Sequence, residues 1–106
     1  METDEIVQQM VDRIAQSFHP LRIILFGSYA RGEAGKDSDV DLLVVFSEVI
    51  DKRQTAIAIR RILSDLPLAK DILVTTPEEI SLRGQVIGSV LRPALQEGKV
   101  LYEQAA

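Results

Sequence analysis

Residues 21–46, LRIILFGSYARGEAGKDSDVDLLVVF, consist of two apolar runs separated by a polar stretch that contains glycines. The first run, 21–26, is rich in β-branched and large apolar side chains and ends at Gly27; the second run, 40–46, is entered through Asp39. Short, nearly continuous apolar runs are typical of buried strands. We therefore predict two strands joined by a polar loop.

A helix is predicted before this pair of strands. Apolar residues recur every four positions from Ile6 to Phe18, which is typical of an amphipathic helix, and we expect Thr3 to cap it. His19 and Pro20 should end the helix, because the residue before a proline disfavours helical geometry.

The second half of the chain predicts two helical regions and two more strands. Thr76, Pro77 and Glu79 supply the cap, the first-position proline and the third-position glutamate of a helix start, whereas Gly84 and Pro93 predict a break in that helix. The predicted elements after residue 46 are a helix over 51–66, a strand over 71–75, a broken helix over 77–96 and a strand over 100–102. The alternation of strands and helices indicates an α/β fold.

The bulk properties predict one cytoplasmic domain spanning residues 1–106. No apolar run approaches the roughly 20 residues of a membrane-spanning helix, and the acidic beginning is unlike a secretion signal. The absence of cysteine excludes thiolate metal sites and cysteine nucleophiles. The net charge of −4 argues against direct binding to nucleic acid.

Asp39 and Asp41 are the most informative polar residues, because aspartate is depleted in strands. Residues two apart on a strand share a face at about 6–7 Å, a spacing at which two carboxylates can flank divalent cations. Oxygen ligands suit Mg²⁺, whose coordination substrate phosphates complete. Asp71 opens another apolar strand, and we expect a neighbouring position in the sheet to add it as a third carboxylate.

Gly27 and Ser28 offer a phosphate-binding turn at the exit of the first strand. Glycine permits close approach, and the serine hydroxyl and backbone amides can donate to phosphate oxygens. Arg31 either pairs with phosphate or ties the loop to a carboxylate. The competing interpretation is a plain turn, with aspartates that only cap a loop. The P-loop pattern G-x-x-x-x-G-K-[ST] is absent.

The remaining charged residues have simpler interpretations. The single histidine, His19, precedes a proline and is interpreted as a turn residue. The basic residues of the helix over 51–66 are interpreted as a solvated face. They are Lys52, Arg53, Arg60 and Arg61.

The stretch over 27–44, GSYARGEAGKDSDVDLLV, resembles the signature of the DNA-polymerase-β-like nucleotidyltransferase superfamily. The resemblance extends over nearly the whole chain, since KDILV at 70–74 and GKVLYE at 98–103 stand where that family has its third carboxylate and closing strand. It implies a small mixed sheet flanked by helices. It also implies a triphosphate held by Gly27 and Ser28, two Mg²⁺ bound by Asp39 and Asp41, and a catalytic metal site completed by Asp71.

In its compactness the chain is similar to minimal nucleotidyltransferases that are paired with HEPN-domain toxins. The resemblance implies an antitoxin that transfers AMP from ATP to a hydroxyl of its partner. One domain leaves no room for acceptor binding, so we expect another protein or a second subunit to supply that surface; residues 83–93 are not diagnostic of the acceptor. The rival hypotheses are a small-molecule nucleotidyltransferase of the aminoglycoside-modifying type and an antitoxin that binds without catalysis.

Overall fold

The computed structural model describes residues 2–35, 37–84 and 91–105, which form a mixed α/β fold. Its elements are α1 (Thr3–Phe18), β1 (Arg22–Phe26), α2 (Gly27–Arg31), β2 (Val40–Val45), α3 (Lys52–Ile62), β3 (Lys70–Thr75), α4 (Pro77–Arg83), α5 (Leu91–Glu97) and β4 (Lys99–Glu103). The predicted α/β class is confirmed, and each predicted strand is found within one or two residues of its expected bounds.

The four strands form one sheet in the order β3-β2-β1-β4. β1 is antiparallel to both β2 and β4, whereas β2 and β3 are parallel. Parallel neighbours need a crossover connection, which α3 provides between β2 and β3. The two strands that carry the predicted aspartates therefore lie side by side and point in the same direction.

Alternating residues of the sheet pack into two separate cores. On one face Val40, Leu42 and Val44 join a cluster with buried residues of α1 and α3. On the other face Leu43 and Val45 join a cluster that includes residues of α5. Because Asp41 alternates with the first set, its side chain lies on the second face, which α4 and α5 cover.

The first helix has the expected buried stripe but a different start. Its buried residues are Ile6, Val7, Met10, Val11 and Ile14. The N-cap is Glu2, which makes no side-chain capping bond, so the prediction of Thr3 as the cap is wrong. Thr3 already lies inside the first helical turn. The helix ends as predicted at His19, which adopts the left-handed conformation with φ 51°.

The later helices begin as predicted but differ at their ends. Thr76 caps α4 by accepting a hydrogen bond from the Glu79 amide at 3.2 Å. The expectation that the preceding helix continues to residue 66 is wrong, since α3 ends at Ile62. The Lys70 ammonium donates to the carbonyls of Leu63 and Leu66 at 2.8 and 3.0 Å, and so satisfies carbonyls of the turn beyond the helix. The predicted break between α4 and α5 falls mainly on residues 85–90, outside the described ranges.

No helix in the described ranges is both long and apolar enough to cross a membrane.

Candidate active site

Asp41 and Asp71 are direct neighbours across the parallel pair β2 and β3. Each is the second residue of its strand, and the register pairs their Cα atoms. On its other side Asp41 is paired with Phe26, the last residue of β1. The strand ends thus bring the second and third predicted carboxylates together at one end of the sheet.

Gly27 begins α2 directly after β1 and lies against the Asp41 carboxylate. A Cβ atom placed on Gly27 would be 2.1 Å from Asp41 Oδ2 and 3.1 Å from Asp41 Cγ. Its φ of +74° is also a conformation that side chains disfavour. Glycine is therefore required here for two independent reasons, and the carboxylate occupies the space that a side chain would need.

The stretch over 27–31 forms the short helix α2, so the prediction of a loop is wrong for these residues. Five residues are too few to show a helical period in the sequence. Gly27 and Ser28 lie in the first turn of α2, and the first amides of a helix have no acceptors within the helix. The role of this turn in binding phosphate oxygens stays a prediction.

The charge distribution links the three aspartates. The pKa of Asp41 is raised, first because its carboxyl is partly buried and then because of the negative charges of Asp71 and Asp39. The positive charge of Arg31 acts in the opposite direction. Asp39 and Asp71 are therefore close enough to repel Asp41, and a divalent cation would relieve that repulsion.

The aspartates do not already form a metal cage. Within the ranges 2–35, 37–84 and 91–105, no three Asp, Glu, His or Cys side chains surround a common point at metal-binding distance. Mg²⁺ normally takes one or two protein carboxylates together with water and substrate phosphates, so an open pair of oxygen donors fits it. The carboxylates of Asp39, Asp41 and Asp71 therefore suit Mg²⁺ by their chemistry.

Asp71 has a partner that the sequence did not predict. Arg60 Nη2 donates to Asp71 Oδ1 at 2.9 Å, from the last turn of α3. The two side chains are 52% and 47% exposed. Arg60 was expected only to face solvent, and no motif or spacing in the sequence links it to Asp71.

Arg31 is held by carboxylates. Its Nε lies 3.2 Å from Glu33, and its Nη1 lies 3.4 Å from Glu97 at the end of α5. These contacts favour the second of the two interpretations of Arg31, in which it ties the chain together. Its positive charge nevertheless acts to lower the pKa of Asp41.

A cavity of about 480 Å³ lies elsewhere, lined in part by Phe18, Phe46 and Ile50. Phe46 follows the last residue of β2, at the opposite end of that strand from Asp41. The cavity is therefore separate from the carboxylate site.

Known proteins resemble this chain in sequence and in fold. A candidate protein adenylyltransferase from Methanocaldococcus jannaschii is 30% identical over 108 residues, which cover 96% of this chain and 100% of the relative. The crystal structure of a candidate nucleotidyltransferase from Sulfolobus solfataricus has a TM-score of 0.64 at 20% identity, over 94% of this chain and 79% of that one. A toxin–antitoxin structure with AMP-PNP has a TM-score of 0.56 at 19% identity, over 97% of this chain and 75% of that one.

The predicted family and enzyme class are confirmed by a match to the family model described as the nucleotidyltransferase domain, which extends over residues 5–100. The structural likenesses independently show the same fold. This chain therefore belongs to the nucleotidyltransferase domain family.

Proposed function

We propose that this protein transfers AMP from ATP to a hydroxyl group of a partner protein in a Mg²⁺-dependent reaction, and that the partner is a HEPN-domain toxin inactivated by the modification. The observation that carries the proposal is the contact of Gly27 with Asp41, in a register that pairs Asp41 with Asp71. The relative from Methanocaldococcus jannaschii, named as a candidate protein adenylyltransferase, supports the reaction. The toxin–antitoxin structure with AMP-PNP, an ATP analogue, supports the nucleotide and the type of partner.

In this proposal Asp39, Asp41 and Asp71 hold two Mg²⁺. Mg²⁺ held by these carboxylates would supply the positive charge that lowers the pKa of the acceptor hydroxyl and offsets the charge on the leaving pyrophosphate. Gly27 lets the triphosphate approach the backbone closely, and Ser28 donates to its oxygens. The acceptor oxygen attacks the α-phosphorus in line, pyrophosphate leaves, and in this proposal Asp71 takes the hydroxyl proton.

The openness of the site favours a macromolecular acceptor over a small molecule. Asp71 lies on β3, an edge strand of the four-stranded sheet, and its side chain is 47% exposed. Sites for small molecules usually bury most of their ligand in a cleft. A carboxylate at an exposed sheet edge is accessible to a side chain presented by another protein, which would supply the missing acceptor surface.

The test is incubation with Mg²⁺ and ATP labelled at the α-phosphate, with and without the protein encoded beside this one. We expect label on the neighbouring protein. Label on an aminoglycoside instead would support the small-molecule enzyme. Neutralisation of the toxin without any transfer would support the antitoxin that acts by binding alone.

Matched substitutions test whether the aspartates are needed for transfer. Asp39→Asn and Asp41→Asn should each reduce transfer by more than about a hundredfold, because metal stabilisation of the transition state contributes several kcal/mol. Asp37→Asn removes the same charge at a nearby exposed position and should leave transfer unchanged. Equal activity of all three variants would contradict the proposed site.

A further inference from the structure

We infer that Arg60 is an exchangeable counter-ion of Asp71, which occupies this carboxylate in the metal-free protein and is displaced when a divalent cation binds. The inference rests on the proposed function, because it takes Asp71 to be a metal ligand. It adds a role for a residue on α3, which is not part of the predicted carboxylate and phosphate-binding motif. Arg60 acts only through its ion pair with Asp71 and is not a catalytic residue.

The contact has the geometry of a bond that can open. Arg60 Nη2 donates to Asp71 Oδ1 at 2.9 Å, and this bond leaves Asp71 Oδ2 for another partner. Both side chains are about half exposed. Ion pairs at such positions contribute little net stability, so a competing cation can replace the guanidinium at low cost.

The other nearby arginines do not perform this task. Arg31 is engaged by Glu33 and Glu97. Arg61 is exposed. Within the described ranges, the arginine that pairs with Asp71 is Arg60 and not Arg61. Arg60 is thus paired with a carboxylate whose negative charge acts on Asp41.

The pair should influence the order in which ligands bind. A free divalent cation at Asp71 would lie close to the positive guanidinium, and like charges repel. A cation already bound to a nucleoside triphosphate brings a net negative charge that offsets this repulsion. Arg60 therefore disfavours the metal alone and favours the metal–nucleotide complex.

The test measures binding of Mn²⁺ alone, by electron paramagnetic resonance of the free ion, to the full chain. Arg60→Gln should bind Mn²⁺ about three to ten times more tightly than the unsubstituted protein, because a competitor and a repelling charge are both removed. Arg61→Gln makes the same charge change at the adjacent exposed residue and should remain within about twofold. Arg60→Lys, which keeps the charge but loses the planar guanidinium, should be close to the unsubstituted protein.

A second measurement, the shift in melting temperature caused by Mn²⁺, detects the same exchange through the stability of the folded protein. Saturating Mn²⁺ should raise the melting temperature of Arg60→Gln by more than that of the unsubstituted protein or of Arg61→Gln, because tighter binding to the folded state gives a larger shift. This readout compares each variant with itself, so a general loss of stability does not produce it.

The outcomes distinguish this inference from the proposed function. Unchanged, weaker or absent Mn²⁺ binding by Arg60→Gln overturns the counter-ion role, and weaker binding would show that Arg60 orients Asp71 for the metal. Asp71→Asn should weaken Mn²⁺ binding in both the unsubstituted and the Arg60→Gln background. Unchanged binding in both would show that the proposed metal site itself is wrong.

Discussion

Replacing Gly27 by alanine tests the contact on which the proposed site depends. The new Cβ would lie 2.1 Å from Asp41 Oδ2, whereas a carbon–oxygen contact needs about 3.3 Å. Either the carboxylate or the first turn of α2 must therefore move by about 1 Å. In addition, alanine at φ +74° costs about 1–2 kcal/mol of backbone free energy.

Gly32→Ala is the matched control. Gly32 has φ +72°, and a Cβ there would meet nothing within 4 Å. It should therefore lose about 1–2 kcal/mol of unfolding free energy and keep its transfer activity. Gly27→Ala should lose a further 1–3 kcal/mol, roughly, because of the overlap. Its AMP transfer should fall about a hundredfold, since a displacement of this size misplaces a reacting group.

Urea denaturation and initial rates of AMP transfer measure the two effects separately. In an Asp41→Ala background the carboxylate is gone, so the extra stability loss of Gly27→Ala should disappear, and its total loss should equal that of Gly32→Ala. Equal stability losses for the two glycine variants in the unsubstituted background, or normal transfer by Gly27→Ala, would refute the reasoning.

Three further predictions concern Glu79, Thr76 and Arg31. The pKa of Glu79 is lowered by hydrogen bonds first from Lys52 and then from Thr75, so its stabilising effect is complete above pH 4.5 and is lost as the pH falls through the lowered value. Glu79→Gln should thus be less stable by about 1 kcal/mol in urea titrations at neutral pH, with a difference that disappears in acid; a constant difference would contradict this. Thr76→Ala removes the α4 cap and should cost about 1 kcal/mol in the same assay, and no change would show that the cap is dispensable. Arg31→Gln should lose less than about 1 kcal/mol of unfolding free energy, because its ion pairs are exposed. It should raise the KM for ATP about tenfold with little change in kcat, because its positive charge acts at the carboxylate site. An unchanged KM would limit Arg31 to its structural contacts.

The sequence identified candidate site residues but not how they are arranged. Gly27, Asp41 and Asp71 were identified because each interrupts or bounds an apolar strand. That Asp41 and Asp71 are paired depends on the register of β2 and β3, which is set by packing of residues far apart in the chain. The sequence suggested that these strands are neighbours but contains no local signal for their register.

The features that were missed all depend on tertiary contacts or on very short segments. α2 has only five residues, and the hydrophobic pattern cannot define a helix of that length. The end of α3 is accompanied by bonds from Lys70 to carbonyls beyond it, and Arg60 finds its partner eleven residues away on a strand. Neither contact follows from the spacing of charges along one helix.

The central position of β1 has a consequence for folding during synthesis. β1 is complete at residue 26, but its partner β4 begins only at residue 99. Until β4 leaves the ribosome, one row of β1 backbone amides and carbonyls has no strand beside it, which is the condition under which sheets pair with other chains. A nascent chain cut short before β4 would therefore be prone to self-association even though every residue of the carboxylate cluster is already present.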